Sequence, residues 1–369
     1  MERNRDIVFA GGGTGGHLFP ALAVADELRR RHPERRVRFV GARNGLEAKL
    51  VPRAGYDLTL LPLSGLKGAG ALARLRSAAS ASLAVVRSVG AFVRRRPALV
   101  VGVGGYASGP AVLAAWLVRV ETMLMEQNHF PGATNRWLAP RASAVCVPSE
   151  AAKARLHGIG IVTGNPIRPE FAAIGPAPGG ARLSLLVFGG SRGARSINRA
   201  AVDALPRLAA MSPPPRVVHQ TGVEAHEQVA QAYAAHPELD ALVRPFFDDM
   251  PERLAAADLV VSRAGATTLA ELAAAGRSAI LVPFPHAADD HQRMNAEAVR
   301  DAGAAVVIPD AELEGARLAA EIASLAADPA RRASMAAAAK TLAKPDAARR
   351  IADVADLLLG GTTEGRGVS

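Results

Sequence analysis

The sequence has little of what disulfide, metal or nucleic-acid chemistry requires. Its one cysteine, Cys146, excludes an intramolecular disulfide framework and a cysteine-based zinc cage. Aromatic residues make up 4% of the chain, which leaves few platforms for base stacking, so we expect no nucleic-acid partner. Neither of the aspartate pairs at 248–249 and 289–290 forms a set of ligands at spaced positions with supporting histidines, and we expect no metal.

Long apolar runs are also scarce. The first thirteen residues contain only a four-residue apolar run, which is too short for the core of a signal peptide. Residues 97–118 carry no charge and are long enough to span a bilayer, but glycines, a serine and a proline interrupt their middle. We predict a buried strand at 98–103, a glycine loop and a helix at 109–118, rather than a transmembrane helix.

Acidic residues are missing from one long stretch. None occurs between Asp57 and Glu121, where eight Lys and Arg residues are found. The whole chain has 44 Lys and Arg against 34 Asp and Glu, a net charge of +10 at pH 7. By charge alone, this one-sided basic field would suit nucleic acid, an anionic membrane surface or a phosphorylated substrate, and the scarcity of aromatic residues disfavours the first of these. Because only five of the basic residues are Lys, an arginine-favouring genome is the alternative explanation.

Short apolar segments alternate with helical patterns along the chain. Those rich in Val, Leu and Ala predict strands at 6–11, 37–42, 57–63, 98–103, 122–127, 143–148, 183–190, 216–222, 258–265, 278–285 and 304–309. Strands that are buried on both faces have near-continuous apolar sequences, so this pattern predicts an α/β fold with parallel sheets.

The alternation stops in a proline-rich segment and then restarts. The pair Val8-Phe9 precedes AGGGTGGH, and Val187-Phe188 precedes GGSRGARS, so two similar halves are indicated. We predict two Rossmann-like domains, 1–163 and 181–344, joined by a linker at 164–180. A C-terminal helix at 345–360 is expected to pack back toward the first domain, with a disordered tail at 361–369.

Three glycine-rich loops, 11–17, 102–110 and 189–196, each connect a predicted strand to a helix. Glycine lets the backbone approach a ligand closely, and the helix N-terminus that follows favours anions, so phosphate or diphosphate is the expected guest. The first loop also fits the dinucleotide fingerprint G-x-G-x-x-G, but no acid follows the second strand until Glu47. NAD is therefore disfavoured, and NADP, with Arg43 at its 2′-phosphate, is left as an alternative.

Two residues in the first turns of predicted helices suggest acid–base and ribose-binding chemistry. His17 lies just inside the first helix, whose dipole favours the neutral imidazole that a general base needs. Glu271, on the helix after SRAG, could accept hydrogen bonds from both hydroxyls of a ribose.

Seven motifs in order resemble the MurG family of peptidoglycan glycosyltransferases. They are GGGTGGHLFPALAVA, GVGGYASGP, EQN with GATNRWLAP, TGNPIR, FGGSRGARSIN, SRAGATTLAELAAAG and PFPHAADDHQRMNA. The resemblance covers about 1–360 and implies a GT-B fold, two Rossmann-like domains with the active site in the interdomain cleft. It further implies an inverting, metal-independent and cofactor-free transfer of N-acetylglucosamine from UDP-N-acetylglucosamine to the C4 hydroxyl of undecaprenyl-diphospho-N-acetylmuramoyl-pentapeptide, lipid I. The product would be lipid II, made at the cytoplasmic face of the bacterial cell membrane.

The same resemblance implies residue roles. For the donor, the matching residues are Thr14, Gly15, Gly16, Asn128, Arg168, Ser191, Phe247, Ala266, Thr267, Thr268, Leu269, Ala270, Glu271 and Gln292. For the acceptor they are Gly13, Gly104, Gly105 and Tyr106. His17 is the first candidate for the general base, and Glu126 is the second. This chain has Met125, Arg192 and Phe247 where the family usually has His, Gln and Ile.

The lipid acceptor gives the acid-free stretch a specific interpretation. Residues 66–96 mix seven cations with leucine, valine and phenylalanine, a composition that suits a peripheral surface on an anionic membrane. Three other functions stay open from the residues alone: another GT-B transferase that uses a UDP-sugar, an NADP-binding oxidoreductase, and a nucleotide-binding module without activity.

Overall fold

The computed structural model describes residues 6–42, 45–61, 71–105, 107–191 and 193–364, with the backbone alone for 71–78, 288 and 361–364. The chain divides into two units. The first contains the residues up to Arg168 together with those from Lys344 onward, and the second runs from Pro169 to Ala343. The first division falls inside the segment that we predicted as a linker.

In the described part of the first unit, seven parallel strands form one sheet. They are β1 (Ile7–Ala10), β2 (Val37–Ala42), β3 (Asp57–Leu61), β4 (Leu99–Gly102), β5 (Glu121–Met125), β6 (Ala144–Val147) and β7 (Ile161–Val162). Their order across the sheet is β3-β2-β1-β4-β5-β6-β7. The helices before the second unit are α1 (Gly15–Arg31), α2 (Glu47–Arg53), α3 (Ala71–Arg94), α4 (Ser108–Leu117), α5 (Ala133–Leu138) and α6 (Glu150–Arg155), with a 3-10 turn at Ala139–Arg141.

The second unit repeats this plan, and its described residues form a six-stranded parallel sheet. The strands are β8 (Ser184–Phe188), β9 (Arg216–Gln220), β10 (Leu242–Arg244), β11 (Leu259–Ser262), β12 (Ser278–Leu281) and β13 (Ala305–Val307), in the order β10-β9-β8-β11-β12-β13. The helices are α7 (Pro169–Ala172), α8 (Arg195–Ala209), α9 (His226–Ala234), α10 (Met250–Ala255), α11 (Ala266–Ala275), α12 (His291–Asp301), α13 (Gly315–Ala327) and α14 (Pro329–Leu342). Three 3-10 turns lie at Pro237–Leu239, Ala288–Asp290 and Asp310–Glu312. The shared strand order confirms the prediction of two Rossmann-like parallel-sheet halves.

Burial on both sheet faces explains the continuous apolar strands. In β1, Ile7 and Phe9 join one core cluster, which α1 helps to form, whereas Val8 and Ala10 join the cluster on the opposite face with α3 and α4. All four side chains are fully buried. An apolar residue is therefore required at every position of this strand rather than at alternate ones.

The last helix, α15 (Ala347–Glu364), packs against α1 within the first unit. Arg31 joins the two helices through Nη1, which lies 2.7 Å from Asp353 Oδ1 and 2.8 Å from Asp356 Oδ2. The helix includes the first four residues of the predicted tail 361–369, and the remaining five lie outside the described residues.

The uncharged stretch 97–118 forms β4 and α4, which confirms the predicted strand, loop and helix. Across the described ranges, no helix has both the length and the apolar character needed to cross a membrane.

Candidate active site

Two glycine loops of the first unit contact each other beyond the carboxyl ends of β1 and β4. The N–H of Gly12 donates to the carbonyl of Gly104 at 3.2 Å. A Cβ atom added at Gly11 or Gly105 would overlap the backbone carbonyl of the opposite loop, and both residues have positive φ, +138° and +80°. Only glycine allows this approach. The two strands are neighbours at the point where the strand order reverses, where open α/β sheets bind ligands.

His17 lies at this junction. Its Nδ1 is 3.1 Å from Oγ1 of Thr14, the N-cap residue of α1. A Cβ atom at Gly104 would lie 2.7 Å from Cδ2 of the imidazole, so the ring packs directly on that loop. The structure therefore brings together His17, Thr14 and Gly104, with Gly15 and Gly16 in the first turn of α1. Tyr106 lies outside the described residues.

Glu47, which we did not predict as a site residue, lies between the first glycine loop and the end of β2. It is 1% exposed, and its Oε2 accepts a 2.7 Å hydrogen bond from the N–H of Gly13. Its Oε1 accepts a second bond, of 2.8 Å, from the N–H of Ala42 at the end of β2. The Gly13 amide, which we assigned to the acceptor, is thus bonded inside the protein. The feature of the sequence that could have identified Glu47 is its position as the first acidic residue after β2.

The position of the same carboxylate disfavours a binding site for NAD or NADP. In that class of site, the acid after the second strand binds the ribose of the cofactor. Here Glu47 is turned inward onto the glycine loop. Arg43, which an NADP site would use, lies outside the described residues.

Glu126, the second candidate base, is buried and surrounded by hydrogen-bond donors. Its Oε1 accepts from the backbone N–H of Gln127 at 3.0 Å and from the backbone and side-chain amides of Asn128 at 2.9 and 3.2 Å. Its Oε2 accepts from the N–H of Gly132 at 3.0 Å and from the side chain of Asn135 at 2.8 Å. A carboxylate engaged in this way organises a loop, and this geometry favours His17 over Glu126 as the base.

This loop is tied to the second glycine loop. The side-chain amide of Gln127 donates to the carbonyl of Val103 at 3.3 Å. Met125, at the position where the family usually has His, is 1% exposed and belongs to the apolar core.

Arg168 approaches the N-terminus of α1. Its guanidinium carbon lies 5.1 Å above the ring centroid of Phe19, and a Cβ at Gly15 would lie 3.0 Å from that ring. A guanidinium beside a helix N-terminus is suited to an anionic group.

In the second unit, Gln220 joins two predicted donor segments. Its Nε2 donates to the carbonyl of Gly190 in the third glycine loop at 3.0 Å. Its Oε1 accepts from the N–H of Phe247 at 2.9 Å. Gln220 was not predicted from the sequence, because its position at the end of β9 was the only sign of a role and no motif includes it. Ser191 is exposed on the same loop, and Arg192 lies outside the described residues.

A buried polar network holds the end of β9. His219 is fully buried, with Nδ1 3.1 Å from the hydroxyl of Tyr233 and Nε2 3.1 Å from Oδ1 of Asn198. Asn198 also donates to the carbonyl of Thr221 at 2.9 Å. Burial lowers the pKa of His219 from 6.5 to about 3, because the charged imidazolium would be desolvated. Neutral His219 therefore fixes the strand end that carries Gln220.

The remaining predicted donor residues lie at α11 and α12. Helix α11 starts at Ala266 after Gly265, which has no side chain to cap the helix, so its first backbone amides point toward the loop. Thr267 and Leu269 are buried, whereas Thr268, Ala270 and Glu271 are half-buried. Gln292, on α12, accepts a 3.0 Å bond from the N–H of Phe284 through its Oε1.

Arg263, which was also not predicted from the sequence, stabilises this end of the sheet. Its Nη1 lies 2.5 Å from Oδ1 of Asp310, and its Nη2 donates to the hydroxyl of Ser196 at 2.8 Å. These contacts join the ends of β11 and β13 to the start of α8. Within the described residues, no group of three or more His, Cys, Asp or Glu side chains could hold a metal ion.

The chain matches two profiles of one enzyme family. The glycosyltransferase family 28 N-terminal domain matches residues 7–147, and the family 28 C-terminal domain matches residues 184–351. Together these ranges cover most of both units.

Curated proteins and solved structures agree with this match. The UDP-N-acetylglucosamine--N-acetylmuramyl-(pentapeptide) pyrophosphoryl-undecaprenol N-acetylglucosamine transferase of Myxococcus xanthus is 45% identical over 351 residues, which is 94% of this chain and 91% of that protein. The transferase of the same name from an Anaeromyxobacter species (strain Fw109-5) is 47% identical over 94% of this chain and 92% of its own. The crystal structure of Acinetobacter baumannii MurG is 28% identical, covers 96% of this chain and 99% of that one, and has a TM-score of 0.77. The chain belongs to the MurG family of glycosyltransferases, within glycosyltransferase family 28.

Proposed function

We propose that this enzyme transfers N-acetylglucosamine from UDP-N-acetylglucosamine to the C4 hydroxyl of lipid I, with inversion and without a metal. The observation that carries the proposal is the identity of about 45% over 94% of the chain to transferases named for this reaction. The contact between the two glycine loops, with His17 packed on it, supplies a place for an anionic acceptor and a base.

The donor, in this proposal, binds to the second unit. The backbone of Phe247 faces the uracil, the half-buried side of α11 faces the ribose and diphosphate, and Gln292 contacts the sugar. Amides at the start of α11 can stabilise the diphosphate. The first-unit residues Thr14, Gly15, Gly16, Asn128 and Arg168 complete the set that the family resemblance assigns to the donor.

The acceptor diphosphate is assigned to the two glycine loops of the first unit, including Gly104 and Gly105. Because Glu47 accepts the N–H of Gly13, that amide is not available to the acceptor, whose assigned partners on the second loop are Gly104 and Gly105. His17 removes the proton from the C4 hydroxyl as its oxygen bonds to the anomeric carbon. The bond from that carbon to the phosphate oxygen breaks, and UDP leaves from the opposite face with the electron pair. Arg168 and backbone amides stabilise the departing charge.

We further propose that the helices on one face of the first sheet rest on an anionic membrane. Helices α3, α4 and α5 pack side by side there. They expose large apolar side chains: Leu83, Val86, Val93, Trp116, Leu117 and Trp137. Arg87 and Arg94 lie on α3, and Arg95 and Arg96 follow it. Apolar side chains among arginines favour a peripheral contact with acidic lipids. The predicted residues 66–70 of this surface lie outside the described residues, as do the side chains of 71–78.

The direct test is transfer of labelled sugar from UDP-N-acetylglucosamine to a short-chain lipid I analogue in the presence of EDTA. We expect a β1→4-linked product at a rate that EDTA does not change. UDP-glucose, NADP and an acceptor without the diphosphate serve as controls. Thermal stabilisation by NADP but not by UDP would favour an oxidoreductase, and turnover with a different acceptor alone would favour another GT-B transferase. UDP binding without any turnover would favour the module without activity.

A further inference from the structure

The carboxylate of Glu47 is enclosed by glycines from three separate segments. A Cβ added at Gly12 would lie 2.8 Å from the carboxyl carbon, and one at Gly41 would lie 2.5 Å from Cγ. A Cβ at Gly45 would overlap Oε2. These residues belong to the first glycine loop, to β2 and to the turn before α2. The buried side chain therefore has one position, which the absence of three side chains makes possible.

In that position, Glu47 is hydrogen-bonded to the first glycine loop at Gly13. Gly13 is in the left-handed region, with φ of +89°, and an added Cβ there would contact nothing within 4 Å. Its N–H donates to Oε2, while Oε1 takes the N–H of Ala42. Hydrogen bonds from amides to a carboxylate are short and strong, so this one side chain fixes the distance from the loop to the end of β2.

The residue after Gly13 links this contact to the base. Thr14 is the N-cap of α1, and its hydroxyl lies 3.1 Å from Nδ1 of His17. A displacement of Gly13 would shift Thr14 and with it the orientation of the imidazole. Misplacing a catalytic group by about 1 Å costs about 100-fold in rate.

We infer that Glu47 is a positioning residue for the transfer reaction: it sets the conformation of loop 11–17 and thereby the placement of Thr14 and His17. It also accepts the N–H of Gly13, which is therefore not available to the anionic acceptor. This inference rests on the proposed function.

A control must separate positioning from general stabilisation. Asp6 offers it, because it is also buried and precedes β1, at the opposite end of the strand from loop 11–17. Its Oδ2 lies 3.2 Å from Nε of Arg38 and 3.1 Å from Nε of Arg95. Asp6→Asn should lower the melting temperature without changing kcat in the folded enzyme.

The experiment compares Glu47→Gln and Asp6→Asn with the wild type, well below the melting temperature of each. In Glu47→Gln, one end of the side-chain amide carries hydrogens and cannot accept a bond from an N–H, so either the Gly13 or the Ala42 contact is lost and the side chain no longer joins the loop to β2. We expect kcat with a short-chain lipid I analogue to fall about 10- to 100-fold, with KM for UDP-N-acetylglucosamine and the affinity for UDP unchanged. Amide hydrogen exchange in residues 11–17 should accelerate in this variant alone. An unchanged kcat, or a loss equal to that of Asp6→Asn, would overturn the inference.

Gly45→Ala also breaks the contact between Glu47 and the loop, because the added methyl group would overlap the carboxylate. It tests the role of Glu47 if Glu47→Gln does not fold. It keeps the carboxylate but pushes it from its place, and Gly45 is not in the left-handed region. We expect the same loss of kcat and the same faster exchange. A wild-type chain that does not transfer N-acetylglucosamine would contradict the proposed function. Unchanged exchange at 11–17 would instead contradict the role of Glu47.

Discussion

The imidazole of His17 packs against the backbone of Gly104 so closely that a methyl group on Gly104 would lie 2.7 Å from Cδ2 and 2.9 Å from Nε2 of the ring. The candidate base on one glycine loop is therefore positioned by the other loop. The contact is a second reason for glycine at position 104, whose φ of +86° already disfavours a side chain.

Gly104→Ala should displace the imidazole and lower kcat for sugar transfer about 100-fold, while UDP affinity changes little. Gly303→Ala is a matched control. Both glycines are left-handed, with φ of +86° and +78°, but an added Cβ at Gly303 would contact nothing within 4 Å. Both variants carry the conformational cost of alanine, and only the first disturbs His17. Equal kinetics in the two variants would contradict the contact's importance.

His17→Ala tests the base itself. We expect kcat to fall far more than the affinity for UDP, because the base acts on the acceptor hydroxyl in the transition state. Steady-state kinetics and calorimetric titration of UDP give the two quantities. An equal loss in both would assign His17 a structural role.

The sequence predicted the strands of this fold well, because burial on both faces makes them continuous apolar runs. All eleven predicted strands are present. It missed β7 and β10, which are two and three residues long and partly exposed, so they lack such a run. Short edge strands depend on their neighbour for hydrogen bonds and leave little trace in hydrophobicity.

The site was predictable where glycine and histidine mark it, and not where distant polar side chains meet. His17 and the glycine loops follow from local pattern, because a strand, a turn and a helix N-terminus are consecutive in the chain. Glu47 and Gln220 act across 34 and 27 residues of sequence, on Gly13 and Phe247. Only the folded sheet brings such residues together, and single-sequence patterns carry no signal for these pairs.

Gln220 should control nucleotide affinity through the third glycine loop and Phe247. Gln220→Leu removes both hydrogen bonds and leaves the Gly190 carbonyl and the Phe247 N–H without this partner. We expect the Kd for UDP to rise about 10-fold by calorimetry. Gln231→Leu, at an exposed position on α9, is the control and should leave the Kd unchanged. A Kd that does not respond to Gln220→Leu would contradict the assignment of these two segments to the nucleotide.

His219 should make the stability of the enzyme fall in mild acid. The pKa of His219 is about 3 in the folded protein and 6.5 in the unfolded chain, so the unfolded state binds the extra proton between these values. Burial of neutral His219 therefore does not reduce the free energy of unfolding above about pH 6.5. Below about pH 6, that free energy falls by about 1.4 kcal/mol per pH unit. Urea unfolding at pH 7 and pH 5 should show a smaller loss for His219→Gln than for the wild type. Parallel pH profiles would contradict the buried neutral state.

The membrane surface of α3 can be tested without touching the catalytic residues. Val86 and Val93 are 66% and 68% exposed, and replacing both with Glu adds negative charge and removes apolar contact. We expect the wild type to sediment with anionic vesicles but not with neutral ones, and to be released by high salt. The double variant should lose at least 10-fold in vesicle binding and in turnover of a vesicle-embedded acceptor, with unchanged kcat on a soluble short-chain acceptor. Val223→Glu with Leu357→Glu, at positions 80% and 75% exposed elsewhere, is the charge-matched control. Binding that resists salt, or that both double variants reduce equally, would contradict a specific surface on α3.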